Sequence, residues 1–93
     1  MPKAIFGGWT SFNFDVSDEA KAVFGKALDG LTGVGYTPLA VATQVVAGIN
    51  YCFLCKGEVV APGGHQIAAK VYIFEPLPGQ GDPRITDIEE IHP

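Results

Sequence analysis

A single amphipathic stripe limits what this chain can fold into. Val16, Ala20, Val23, Phe24, Ala27, Leu28 and Leu31 recur at steps of three and four, so their side chains line one side of an α-helix. Lys21 and Lys26 fall on the other side. Ser17 stands ahead of the run as an N-cap, with Asp18 and Glu19 in the first turn, where carboxylates meet the positive end of the helix dipole. Gly30, Gly33 and Gly35 are expected to end the helix and release the chain. Every later apolar run reads as a strand, so the one helix must find its apolar cover on a sheet.

Four strands are expected after the helix. Residues 36–46 form the first, with Pro38 marking an irregular or edge start. In the next, Ile49, Tyr51, Phe53 and Cys55 share one face, and Asn50, Cys52, Leu54 and Lys56 the other. Ala61-Pro62-Gly63-Gly64 turns the chain into residues 67–74, where Val71 and Ile73 face the helix and Tyr72 and Phe74 face away. Residues 76–83 form a loop broken by Pro and Gly. Residues 85–91 close the sheet as a charged strand, with Asp87, Glu89 and Glu90 guarding an exposed edge. Ahead of the helix, residues 9–14 alternate large and small and are expected to add a short strand. The predicted fold class is α+β: one long helix wrapped by an antiparallel sheet of four to five strands. Residues 1–93 read as a single domain, with residues 1–8 as a flexible N-terminal arm.

Composition excludes several functions. The chain has six Lys and Arg, scattered, within a net charge of −4, which offers no basic run to neutralise phosphates and argues against nucleic acid. No stretch approaches the length of a membrane span, and residues 1–6 hold no apolar core suited to a signal peptide. That points to a cytoplasmic protein, or to a secreted one whose leader has been removed. Cys52 and Cys55 form a C-x-x-C inside a β-branched and aromatic run. A spacing of three sends their side chains to opposite faces of a strand, where no undistorted disulfide joins them. Zinc would need further ligands, and His65 and His92 are not at finger-like spacing, so no metal or cofactor is expected. Strand burial raises a thiol pKa and no His or carboxylate stands ready to activate either Cys. The expectation is two structural thiols and no enzyme.

The turn between the first two long strands breaks the usual rule for turns. Gln44-Val45-Val46-Ala47-Gly48 carries small apolar residues and one Gly where polar turn-formers are usual. Apolar groups at a loop tip lose hydrophobic free energy in water, and a partner's groove recovers it. Val45 and Val46 as the mere end of a buried strand is the plainer reading from periodicity.

The same five residues resemble the Q-x-V-x-G signature of the cystatins, inhibitors of papain-like cysteine proteases, and residues 44–51 are most similar to the stefin branch. Gly7-Gly8 before the helix and Leu77-Pro78-Gly79 between the last two strands fall where that family has its other two contacts. The resemblance thus spans nearly the whole chain. It implies a wedge that blocks the protease cleft without presenting a peptide for attack. In that wedge Val45, Val46 and Ala47 supply apolar contact, with Gln44 opening the signature, and Gly48 permits a tight turn and a close backbone approach. Ile5 and Phe6 fill an apolar subsite, Gly7 and Gly8 let the arm bend, and Leu77, Pro78 and Gly79 form the second contact. Stefins carry Leu-Pro-His in that loop, so Gly79 removes an imidazole, and Trp9 after the glycines is also a departure. The expected partner is a papain-like cysteine protease. The rival reading keeps the fold without inhibition: a binding module that self-associates through Tyr72, Phe74 and Leu54 on the outer sheet face, or by domain swapping through the hairpin.

Overall fold

The computed structural model describes residues 8–93. Along the chain it contains α1 (Asp18–Ala27), β1 (Val34–Val46), β2 (Gly48–Val59), β3 (Gln66–Glu75) and β4 (Arg84–Ile91). The four strands form one antiparallel sheet in the order β1-β2-β3-β4. The α+β class and the four long strands are as the sequence predicts.

The helix starts as read but stops early. Ser17 is the N-cap, its Oγ accepting from the Ala20 N–H at 3.1 Å. At the other end the Leu28 N–H still donates to the Phe24 carbonyl, and then Gly30 takes φ +85° and turns the chain away. Ten residues make a helix of about 15 Å, short for its sheet. Leu31, the last residue of the expected stripe, lies beyond the helix and is 40% exposed. Gly35 belongs to β1 rather than to the helix end.

Ala20, Val23 and Phe24 of α1 pack on Val41, Tyr51, Phe53, Cys55, Val71 and Ile73. Phe53 and Val71 are wholly buried, and the Phe24 ring meets Phe53 edge-on with centroids 4.8 Å apart. Val71 and Ile73 lie on the helix side as alternation assigned them, and Tyr51, Phe53 and Cys55, expected to share one face, join them there. β1 pairs irregularly between Pro38 and Ala40, where proline has no N–H to give the ladder. β4 lies at the free edge with most of its residues exposed, among them Asp87, Glu89 and Glu90.

The strand expected over residues 9–14 is not continuous. Two isolated bridges, Trp9 to Gln44 and Asn13 to Val41, hold this segment along the free edge of β1. Between the bridges the segment advances four residues while β1 advances three, so the ladder cannot stay in step. The Thr10 hydroxyl fills part of the gap, accepting from the Thr43 N–H at 3.0 Å, while the Thr10 N–H donates to the Thr43 carbonyl at 2.9 Å.

Candidate functional site

The β1–β2 hairpin is as tight as its sequence suggests. Val45 pairs with Ile49 and Val46 with Gly48, which leaves Ala47 alone at the apex. Gly48 has φ +123°, a backbone conformation that side chains rarely tolerate. Val45 and Val46 are half-buried and Ala47 is exposed, so the tip offers less bare apolar surface than its sequence implies. Gln44 serves the hairpin itself, its Oε1 accepting from the Asn50 Nδ2–H at 2.8 Å.

Gly48 is buried, and the space a side chain would need is taken within the fold. A Cβ there would stand 2.5 Å from the Glu75 carbonyl oxygen and 2.9 Å from the Phe74 ring. β3 runs alongside, with Ile49 opposite Glu75 and Asn50 opposite Phe74. The close approach expected at Gly48 is therefore already made, to the protein's own third strand.

Glu75 is also where the second loop begins. Tyr51, 4% exposed, donates its hydroxyl to Glu75 Oε1 at 3.3 Å. Burial raises the Tyr51 phenol above its ordinary value, and the neighbouring Glu75 carboxylate adds to the rise. The loop at 76–83 then turns through a Gln80 N–H to Leu77 carbonyl bond of 3.0 Å. Gly79 has φ +82° with nothing near its Cβ position, so the backbone alone calls for glycine. Leu77 is 46% exposed and Pro78 is exposed beside it.

The hairpin and this loop face one another across a cleft of about 770 Å³. Val45, Val46 and Ile49 form one wall, Leu77, Pro78 and Pro83 another, and Ala22 and Val23 of α1 the floor. Lys26 and Asp82 stand at its rim, 3.9 Å apart and both well exposed. Two of the three segments singled out from sequence thus share one end of the molecule. Of the third, Ile5, Phe6 and Gly7 lie outside the described residues, as does the flexibility expected of the arm. Gly8 is half-buried next to Trp9, whose bridge to Gln44 sets the segment beside β1.

The outer sheet face differs from expectation. Leu54, Tyr72 and Phe74 do point there, but the Trp9 ring stands edge-on to Tyr72 at 6.0 Å and the Arg84 guanidinium lies 5.0 Å above Phe74. These neighbours break up the apolar patch that alternation alone suggests. Cys52 and Cys55 are both free and buried, on opposite faces as the spacing requires. Burial, with Cys52 a smaller influence, pushes the Cys55 thiol up to about 12. Burial raises Cys52 as well, against the opposing pull of Tyr72 and Lys70.

Sequence reasoning missed three contacts: Gly48 on β3, Tyr51 on Glu75 and Trp9 on Tyr72. Each joins residues distant in the chain, and periodicity carries no signal for which pairs meet. No family model matches the chain, no curated protein matches it, and no solved structure matches its fold.

Proposed function

We propose that this chain is a reversible, non-covalent inhibitor of papain-like cysteine proteases with a cystatin-like fold of the stefin type. One observation carries the reading: the Gln44–Gly48 signature and Leu77-Pro78 stand at the same end, on either side of one apolar cleft. Exposed Ala47, Leu77 and Pro78 are the leading edges of such a wedge. Both loops are braced from behind, through Gly48 against β3 and Tyr51 against Glu75. A preformed wedge loses little conformational entropy on binding, which favours affinity. Inhibition proceeds by occupying the cleft, with an interface of about 1,600 Å² in which few residues carry most of the energy.

The test is a titration of papain, following substrate hydrolysis, with Ala47→Glu and Leu77→Glu as controls. Gly48→Glu is a poor control, because its side chain would collide with Glu75 and Phe74 inside the inhibitor. Stoichiometric inhibition by the parent, weakened at least about a hundredfold by Ala47→Glu, is the expected result for a hot-spot residue at the interface centre. Parent protein at micromolar concentration leaving papain untouched sinks the proposal.

A second reading, a non-inhibitory module that self-associates, draws on one feature. Trp9 and Phe12 are 41% and 38% exposed and line a shallow hollow with Tyr72 on the outer face. Sedimentation of a dimer that Phe12→Glu dissociates would favour it, and a monomer at high concentration would count against it.

A further inference from the structure

We infer that the cleft between the hairpin and the second loop binds an amphipathic cation, a small molecule with an apolar body and a protonated amine. The inference goes beyond the inhibitor reading and does not depend on it.

The cleft holds about 770 Å³. Clefts that take small organic ligands run from about 300 to 1,000 Å³. A single side chain reaching in from a partner would leave most of that space empty, so a free molecule fits it better. The room has an identifiable source in α1. Ala22 is exposed, and Glu19 and Lys26 stand about one turn to either side of it on the same wall of the cleft. A methyl group between two long side chains leaves the floor open. Val23 closes it from below, and Val45, Ile49 and Leu77 give the sides their apolar character.

Charge decides the class of ligand. The lining carries three carboxylates, Glu19, Glu75 and Asp82, against the one ammonium of Lys26. Lys26 is paired with Asp82 at 3.9 Å. Glu19 lies two helical turns away, about 10 Å along the axis. Among the described residues, neither Glu19 nor Glu75 has a Lys or Arg within ion-pair distance. Both act on one phenol: Glu75 accepts the Tyr51 hydroxyl at 3.3 Å, and Glu19 adds to the rise that burial and Glu75 cause there. The Tyr51 bond also fixes the Glu75 carboxylate in place. The end of the cleft away from Lys26 is therefore acidic and lacks a countercharge. A protonated amine set there gains charge-assisted hydrogen bonds, while its apolar body leaves water for the walls. An anion of the same shape would meet three carboxylates and a lysine already engaged.

The experiment is titration calorimetry of the full-length chain at neutral pH with n-octylammonium, n-octanol and n-octanoate, which share one apolar body. Octylammonium is expected to saturate a single site at least about fivefold more tightly than octanol, with octanoate weakest. Glu19→Gln/Glu75→Gln should bring octylammonium to the level of octanol and leave octanol binding as it was. Glutamine keeps an oxygen for Tyr51 to donate to, so this variant retains the brace. Ala22→Phe, made at an exposed helix position, fills the floor and should weaken octylammonium at least about tenfold while the melting temperature stays close to the parent's. Absence of saturable binding overturns the inference. So does octanol or octanoate binding as tightly as octylammonium, which would make the cleft a neutral or an anion site. An amine preference that survives in the double glutamine variant, or octylammonium binding indifferent to Ala22→Phe, overturns it as well.

Discussion

Gly48 and Gly79 look alike by backbone angle and differ in everything around them. Both have positive φ, Gly48 at the start of β2 and Gly79 in the loop at 76–83. Around Gly48 the fold has closed, with the Glu75 carbonyl and the Phe74 ring where a Cβ would go. Around Gly79 there is open space. The first glycine is part of the protein's interior and the second part of its surface. A glycine in a recognition signature can therefore be required by its own chain before any partner is considered.

Substitutions graded along this contrast should separate in size. Gly48→Ala combines strain at positive φ with a collision against β3, for a loss of about 3 kcal/mol. In a domain of this length that lowers Tm by about 12–24 °C. Chemical denaturation should show the same loss, and a Tm within two or three degrees of the parent would break the comparison.

Tyr51→Phe comes next, at about 1.5 kcal/mol, because it removes a hydrogen bond from a buried hydroxyl to a carboxylate at the base of the second loop. This variant also has a pH signature. Burial and Glu75 raise the folded phenol above its ordinary 10.0, so the parent's Tyr51 contribution is complete below that pH. As pH climbs further the unfolded chain ionises first, and stability falls. Melting curves should therefore decline less steeply above pH 10 in Tyr51→Phe than in the parent.

Gly79→Ala meets only the backbone penalty of a non-glycine residue at positive φ, about 1 kcal/mol. Because nothing surrounds that position, Gly79→Asn, which tolerates left-handed angles better, should recover part of the loss in the same melts. Lys26→Ala comes last. Its ion pair with Asp82 is 3.9 Å long between well-exposed side chains, and no resolvable change in Tm is expected. A sizeable shift there would mean that the cleft rim, and not only its walls, holds the 76–83 loop in place.

The same division between local and distant causes explains what could be read in advance. Alternation identified the faces of β2 and β3 residue by residue, because a half-buried strand repeats every second position. Ser17 and the two acids after it marked the helix start through chemistry confined to one turn. The helix end was harder, since Leu28 and Leu31 continue the apolar stripe while Gly30 has already diverted the backbone. Residues 9–14 alternate like a strand, yet one extra residue between two bridges breaks the ladder. Of the candidate site, the shared end of hairpin and second loop follows from strand order. The reason Gly48 must be glycine does not, because it depends on Phe74 and Glu75 lying alongside.

The paired thiols of β2 carry a further consequence. With one on each side of the sheet, neither can reach the other, and both are buried. Oxidants and reductants thus find no covalent bond within the described fold to make or break between them. A molecule of this kind should melt at the same temperature in dithiothreitol as in air, and should outlast changes in redox surroundings that would disarm a thiol enzyme.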